Sequence, residues 1–238
     1  MTVQLPRRAA AEFFGTAFLV AAVIGSGIMA ERLAGGNLAL ALLANTIATG
    51  AALVALILTF GPISGAHLNP VVTMMDWLEG GISAREVVPY ALAQILGGIC
   101  GAIAAHLMFS LPLVSLSTHV RSGPAQFFSE FVATFGLLGV IWGASRSQPA
   151  TVPFGVAAYI VAAYWFTAST SFANPAVTIA RSLSDTFAGI RPIDAPWFIV
   201  AQFLGGVAAT LLFRWLAPPS RKRPDKPLIP HSGVEPGS

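Results

Sequence analysis

A short stretch occurs twice in this chain and limits the folds that are open to it. Residues 67–74 read HLNPVVTM, and residues 172–179 read FANPAVTI. In each copy an Asn takes the position that caps a helix, and a Pro takes the first position inside it, which is a favourable helix start. Each copy lies in an apolar stretch that is too short to cross a bilayer. Two such segments at corresponding places predict a transport site in a membrane protein.

Longer apolar runs surround both copies and require a bilayer as solvent. The chain is 55% hydrophobic and 10% charged, whereas soluble domains carry about 25% charged residues. The first run, 9–30, would be roughly 33 Å long as a helix, which is enough to cross the membrane. We expect Gly61-Pro62 to end the second span and Gly80-Gly81 to end the first short helix. The predicted spans are 9–30, 38–60, 87–109, 124–144, 151–167 and 195–216.

The two halves of the chain repeat each other. Glu12-Phe13 with Thr16 matches Glu130-Phe131 with Thr134, and AQILGG at 93–98 matches AQFLGG at 201–206. Because each half has three full spans, an odd number, the second half must be inverted in the membrane. The sequence therefore predicts an all-α membrane protein with six transmembrane helices plus two re-entrant half-helices, arranged as inverted three-helix repeats.

These repeats set the expected domain boundaries and topology. Residues 1–8 form an N-terminus, 9–217 a channel domain with repeats at 9–109 and 124–217, and the Pro-rich basic segment 218–238 a disordered tail. Basic residues favour the cytoplasmic side. With both termini inside, nine basic residues are cytoplasmic and four are outside, namely Arg32, Arg121, Arg181 and Arg191. We expect a multi-pass protein of the inner (cytoplasmic) membrane with both termini in the cytoplasm.

The two short helices would meet near the membrane midplane with their N-termini together. Each N-terminus carries roughly half a positive charge, so the pair opposes cations, including the hydrated proton. The side-chain carbonyls of Asn69 and Asn174 would cap the helices, leaving the amide NH2 groups as donors into a lumen. Backbone carbonyls before each Asn-Pro would supply acceptors, and such a lumen suits small neutral polar solutes. Those carbonyls belong to Gly65, Ala66 and His67 and to Thr170, Ser171 and Phe172.

The chain resembles the aquaporin family (major intrinsic proteins) over residues 7–217. Asn69-Pro70-Val71 and Asn174-Pro175-Ala176 match its two asparagine–proline–alanine boxes, with Val71 replacing the usual Ala. Glu12 and Glu130 match the glutamates that hold the family's re-entrant loops; a role as proton relays is the alternative. The resemblance implies a right-handed helix bundle, one pore per protomer and a homotetramer.

The departures from the family pattern concern the selectivity filter. Most members follow the second box with an Arg, and this chain has Val177 there. Spacing from the boxes places the other filter positions at Thr49, Ala162 and Ser171. These residues predict a wide filter that lacks the usual charge. The closer resemblance is to bacterial aquaglyceroporins associated with arsenic resistance.

Arg181 is a candidate replacement for the missing charge. It follows Val177 by four residues, so it lies on the same helix face one turn away, and its side chain leans back toward the helix N-terminus. The alternative is an arginine at the pore mouth that pairs with Asp185, four residues further on. His67 is expected to orient the first re-entrant loop and line the lumen, and a pH gate is the alternative.

Other classes of site find no support in the sequence. No phosphate loop, nucleophile motif or metal-ligand spacing occurs, so we expect no enzyme, catalytic residue, metal or cofactor. The small net charge of +3 does not indicate nucleic-acid binding. The expected partners are the lipid bilayer, other copies of the chain, water and neutral solutes.

The predicted function is a passive channel for small uncharged polar solutes such as glycerol, urea, water and metalloid hydroxides, including arsenous acid. A water-selective channel is one alternative and would need a tighter filter. A closed-pore structural membrane protein is another and would need bulky side chains in the lumen. A secondary transporter would need ion ligands or paired charges at the midplane.

Overall fold

The computed structural model describes residues 3–217. In this range the chain forms eight α-helices and one 3-10 turn, at Pro149–Thr151. The helices are α1 (Leu5–Leu33), α2 (Leu38–Ser64), α3 (Pro70–Leu78), α4 (Ala84–Met108), α5 (Pro124–Ser147), α6 (Val152–Phe166), α7 (Pro175–Ser182) and α8 (Ala195–Leu216). The predicted disordered tail, 218–238, lies outside the described residues.

Six of these elements are long and apolar enough to cross a membrane: α1, α2, α4, α5, α8, and α6 together with the turn before it. The short helices α3 and α7 have 9 and 8 residues. At 1.5 Å per residue each reaches less than half of a bilayer core. Six membrane-spanning helices and two half-helices were predicted, and this fold class is confirmed.

The end predicted for the second span is wrong. Pro62 lies inside α2, which ends at Ser64 and is capped by Gly65, whose φ of +92° favours glycine. A proline removes one backbone hydrogen bond and disturbs one preceding carbonyl, but it does not prevent the next turn from forming. The Gly65 N–H donates to the Gly61 carbonyl at 2.9 Å, so helical bonding resumes directly after the proline.

Glycines in the repeated AQxLGG blocks bring helices together. A methyl group on Gly97 of α4 would lie 2.2 Å from the carbonyl oxygen of Phe13 in α1. A methyl group on Gly205 of α8 would lie 2.4 Å from the carbonyl oxygen of Phe131 in α5. The backbones of α1 and α4, and of α5 and α8, therefore touch at equivalent places in the two repeats, as small residues permit in membranes.

Charged residues fix the ends of the bundle. We call the side on which α1 begins and α8 ends the terminal face, and the opposite side the distal face. On the terminal face, Glu79 at the end of α3 accepts from Arg146 of α5 at 2.9 Å and from Arg214 of α8 at 2.5 Å. These contacts anchor the outer end of the first half-helix, so its N-terminus points into the protein.

Candidate functional site

The two Asn-Pro pairs meet inside the protein and bond to each other's segments. We call residues 65–68 the first approach segment and residues 167–173 the second. The Asn69 side-chain amide donates to the Ala173 carbonyl at 2.7 Å, and the Asn174 amide donates to the Leu68 carbonyl at 2.7 Å. The two N-termini of α3 and α7 are therefore joined where the repeats meet.

The side-chain oxygens of both Asn residues cap their own helices. Asn69 Oδ1 accepts from the Val71 N–H at 2.9 Å. Asn174 Oδ1 accepts from the N–H groups of Ala176 at 2.9 Å and Val177 at 3.3 Å. Helix capping by Asn is confirmed. The amide groups differ from expectation, because one hydrogen of each binds the opposite approach segment and one is left for the lumen.

The side chains of Val71 and Ala176 pack away from the lumen. Val71 is fully buried, and its Cγ1 would lie 2.5 Å from a methyl group on Gly206 of α8. The glycine therefore makes room for the valine that replaces the usual alanine, and the substitution does not narrow the lumen. Ala176 is also buried, and its carbonyl oxygen would lie 3.2 Å from a methyl group on Gly98 of α4.

Glu12 and Glu130 hold the approach segments through backbone hydrogen bonds. Glu12 accepts from the N–H groups of His67 at 3.0 Å and Leu68 at 2.7 Å, and from the Ser64 hydroxyl at 2.6 Å. Glu130 accepts from the N–H groups of Phe172 and Ala173, both at 2.9 Å. Gln94 and Gln202 donate to Glu12 and Glu130 respectively, each at 2.7 Å. Both carboxylates are fully buried with their donors, so a loop-holding role explains them without a proton relay.

Both approach segments have a backbone that helices do not allow. Left-handed φ angles occur at the non-glycine residues Ala66, Leu68, Thr170, Ser171 and Ala173, between +46° and +60°. Such angles are uncommon outside glycine and persist where the surroundings hold them. Because the segments are not helical, helix bonds do not take up their carbonyl groups.

A cavity runs between the two repeats along the approach segments. One wall consists of apolar side chains from α1, α2, α5 and α6, including Leu53, Ile141 and Val156. The other wall consists of both Asn residues and the two approach segments, and Val177 and Arg181 of α7 continue it. Among the residues that the structure describes, no carboxylate lines this cavity. The lining polar atoms come from the segments 65–69 and 171–174 and from the side chains of Thr49, Tyr164 and Arg181.

Three of the four predicted filter residues, Thr49, Ser171 and Val177, line this cavity. Ala162 does not: its side chain is exposed on the outer surface of α6, so its placement at the filter is wrong. Tyr164, two residues later, lines the cavity instead, and its hydroxyl lies 3.3 Å from the Thr49 hydroxyl. Two residues turn a helix by about 200°, which exchanges the inner and outer faces.

Arg181 also lines the cavity and is almost completely buried. Its guanidinium carbon lies 3.3 Å from the ring centre of Phe172, and its Nε donates to the Ala188 carbonyl. The expected alternative partner, Asp185, instead accepts from the Thr118 N–H at 2.8 Å and hydroxyl at 3.0 Å. These bonds hold the pKa of the exposed Asp185 carboxyl below its usual value. The pairing of Arg181 with Asp185 is therefore wrong.

His67 lies in the cavity wall with two polar neighbours from α3. Its Nδ1 is 3.1 Å from the Thr73 hydroxyl, and its Nε2 is 3.3 Å from Asp76 Oδ2. All three side chains are buried. These contacts fix the ring against α3, in line with the expected orienting role. Asp76 was not singled out in the sequence, and its spacing of nine residues from His67 carries no motif.

The structure changes the reading of two residues on the distal side. Thr170 does not line the cavity, although its neighbours Ser171 and Phe172 do. The Thr170 hydroxyl lies 3.4 Å from Nη1 of Arg121, a residue counted only as an outside charge in the sequence. No sequence signal connects Arg121 with the second approach segment, because they meet only in the folded chain. Within residues 3–217 no cluster of three or more His, Cys, Asp or Glu side chains could hold a metal ion.

Comparisons with known proteins agree with this geometry. The family model described as Major intrinsic protein matches residues 1–151 and 145–235. Aquaglyceroporin AqpS of Rhizobium meliloti (strain 1021) is 55% identical over 218 residues, which cover 92% of this chain and 93% of the relative. Aquaporin AqpM of Methanothermobacter marburgensis is 31% identical and covers 90% of this chain and 98% of its own length.

A solved structure supports the fold independently. The aquaglyceroporin from Plasmodium falciparum superposes with a TM-score of 0.70 at 22% identity, covering 90% of this chain and 98% of that one. At this identity the likeness concerns the arrangement of helices alone.

Proposed function

Because this chain belongs to the major intrinsic protein family, we propose that its cavity is a passive pore whose filter is formed by Thr49, Tyr164, Ser171 and Val177. The chain is a channel for small solutes and not an enzyme. The observation that carries the filter proposal is that both Asn residues, both approach segments and these four side chains line one and the same cavity. A water-selective channel is not favoured, since the relative at 55% identity is an aquaglyceroporin.

The two walls of the cavity suit uncharged polyols. The apolar wall accepts the carbon face of a solute, while carbonyl and amide groups on the other wall replace the water lost by its hydroxyl groups. An ion would lose far more hydration than these groups return. The joined N-termini of α3 and α7 add positive potential where a cation would have to pass. Neutral solutes therefore cross, and protons and metal cations do not.

We propose glycerol, urea, water and arsenous acid as cargo. Arsenous acid is a neutral molecule with three hydroxyl groups at physiological pH, so it offers the same hydrogen-bonding pattern as a small polyol. Light scattering from proteoliposomes measures glycerol and water entry, and arsenic analysis of the vesicles measures arsenite entry. Water flux without glycerol or arsenite flux would contradict this assignment, and competition between glycerol and arsenite would show a shared path.

Arg181 supplies the positive charge of the filter in this proposal. It lies one turn beyond Val177, lines the cavity and has no carboxylate partner among the described contacts. Replacement by Ala should raise proton leak or change the glycerol-to-water ratio. Arg85→Ala is the matched control, because Arg85 is exposed at the start of α4 on the terminal face and does not line the cavity. If Arg181→Ala leaves both quantities unchanged, Arg181 is only a residue of the pore mouth.

Topology and assembly complete the proposal. The terminal face is cytoplasmic, as the distribution of basic residues favours, and residues 9–109 and 124–217 are the two repeats. Four copies form a homotetramer in the inner membrane, with one pore in each, by resemblance to the family. Reporter fusions at each terminus test the topology, and native mass spectrometry tests the tetramer.

A further inference from the structure

The linker between the two repeats, residues 109–123, is bound tightly to the distal mouth of the cavity. We call it the distal linker. It has no helix or strand, yet the N–H groups of Ser115 and Ser117 donate to the carbonyls of Leu183 and Ser182, both at 3.0 Å. The Arg191 N–H in turn donates to the His119 carbonyl at 2.8 Å. The linker is therefore attached to the last residue of α7 and to the chain that follows it.

Arg121 extends from this linker to the second approach segment. Its Nη1 donates to the Ser169 carbonyl at 3.0 Å, and its Nε donates to the Gly189 carbonyl at 2.8 Å. Its own backbone N–H donates to Asp194 Oδ2 at 3.0 Å, which fixes the base of the side chain. One guanidinium thus joins the chain before the second Asn-Pro to the chain after α7.

The segment that Arg121 holds has three left-handed non-glycine residues, against two in the first approach segment. Thr170, Ser171 and Ala173 have φ angles of +60°, +50° and +49°. Without glycine such a run persists only where neighbouring groups hold it. Glu130 holds it at Phe172 and Ala173 from the side of α5, and Arg121 holds it at Ser169 and Thr170 from the distal side. Ser171, which lines the cavity, lies between these two anchors.

Arg121 and Arg181 also share one aromatic ring. The guanidinium carbon of Arg181 lies 3.3 Å from the ring centre of Phe172, and that of Arg121 lies 5.1 Å from it. Gly189, whose carbonyl Arg121 binds, directly follows Ala188, whose carbonyl accepts from Arg181. Arg121 therefore contacts both the ring on which Arg181 stacks and the residue next to the carbonyl that Arg181 binds. Arg121 does not itself line the cavity.

We propose that Arg121 is a positioning residue that sets the upper size limit of the pore from outside its lumen. The proposal rests on the channel function given above and deepens it. Arg121 keeps Ser171, Phe172 and Arg181 at fixed positions in the polar wall of the cavity. When it is replaced, the second approach segment relaxes and larger polyols enter, while the path for water stays open.

Arg121→Lys is the sharpest test, because lysine keeps the charge and most of the volume but has one nitrogen where arginine bridges two segments. Light scattering from proteoliposomes gives the rates for glycerol, for the longer polyol sorbitol and for water. We expect the sorbitol-to-glycerol ratio to rise about tenfold, since one lost charge-assisted hydrogen bond shifts the equilibrium between the held and the relaxed segment by about that factor. Arg121→Met, which removes all the bonds, should raise the ratio further. Arg32→Lys is the control, because exposed Arg32 donates to Phe109 at the other end of the distal linker.

A second measurement separates positioning from general stability. Amide hydrogen exchange in Arg121→Lys should accelerate within residues 168–173 and stay unchanged in α1 and α4. The proposal would be overturned if Arg121→Lys is less stable but keeps the wild-type sorbitol-to-glycerol ratio and the wild-type hydrogen exchange in residues 168–173. An equal change of the ratio in Arg121→Lys and Arg32→Lys would also overturn it. If wild type itself conducts no solute, the channel assignment fails, whereas wild-type flux with an unchanged variant ratio refutes the role of Arg121 alone.

Discussion

Glu12→Gln should weaken the first approach segment and with it the pore. Glu12 is fully buried and accepts four hydrogen bonds: from Ser64, His67, Leu68 and Gln94. Glutamine keeps the shape of the Glu12 side chain but replaces one carboxylate oxygen with an NH2 group. This NH2 group faces hydrogen-bond donors and cannot accept a hydrogen bond from them. At least two of the four bonds are then lost.

The size of the effect follows from these bonds. A hydrogen bond to a charged group contributes about 1.5–3 kcal/mol, so the loss of two costs about 3–6 kcal/mol. That is a large part of the roughly 5–15 kcal/mol by which a folded protein is stable. Glu130 accepts three bonds, so Glu130→Gln should cost somewhat less.

The assay is thermal unfolding of the purified channel, followed by glycerol permeability of the fraction that reconstitutes. We expect Glu12→Gln to unfold at clearly lower temperature and to conduct more slowly per folded protein. Glu31→Gln is the control, because Glu31 is exposed at the distal end of α1. Unchanged stability and permeability in Glu12→Gln would show that Glu12 does not hold the approach segment, and the account of the re-entrant loops would be refuted.

Three further predictions concern the filter and the helix contacts. Val177→Arg should reduce glycerol and arsenite flux relative to water flux by about tenfold, because the larger side chain narrows the lumen and one steric misfit in a binding pocket has an effect of about this size. Equal arsenite flux in variant and wild type would place Val177 away from the constriction. Tyr164→Phe removes a hydroxyl 3.3 Å from that of Thr49. The glycerol-to-water permeability ratio should change about threefold, because the loss of one neutral hydrogen bond has an effect of about this size. An unchanged ratio would show that Tyr164 is not part of the filter. Gly97→Ala brings a methyl group to 2.2 Å from the Phe13 carbonyl oxygen and should lower the free energy of unfolding by about 1–3 kcal/mol. Gly143→Ala is the control and should be tolerated, because the nearest side-chain atom is 3.6 Å away. Equal stability of the two variants would contradict the close contact at Gly97.

The fold could be predicted in detail from the sequence because its signals are local or repeated. Long apolar runs identify the spans, and Asn-Pro identifies the start of each half-helix. The repeated Glu and AQxLGG blocks align the two halves, and the structure places Glu12 and Glu130 in equivalent hydrogen-bond networks. These inferences need no knowledge of how distant segments meet.

The parts that the sequence did not predict depend on loop geometry and tertiary contact. The chain from α6 to the second Asn-Pro contains left-handed residues, which change the distance and direction that each residue adds. Counting residues back from Asn174 therefore selected exposed Ala162 instead of Tyr164. The partner of Asp185 is Thr118, which is 67 residues away in the chain. Arg121 is likewise remote from Ser169 and Gly189. No spacing rule links such residues, since their contact exists only after the distal linker has docked.

Glycerol entry and internal pH can be followed together in proteoliposomes that contain the wild-type protein. The cavity, with its joined half-helix N-termini and no lining carboxylate among the described residues, predicts glycerol entry well above that of empty vesicles. It also predicts no added proton flux when a pH gradient is imposed. Glycerol entry equal to that of empty vesicles, or a proton flux that rises with the amount of protein, would show that this chain is not a channel selective for neutral solutes.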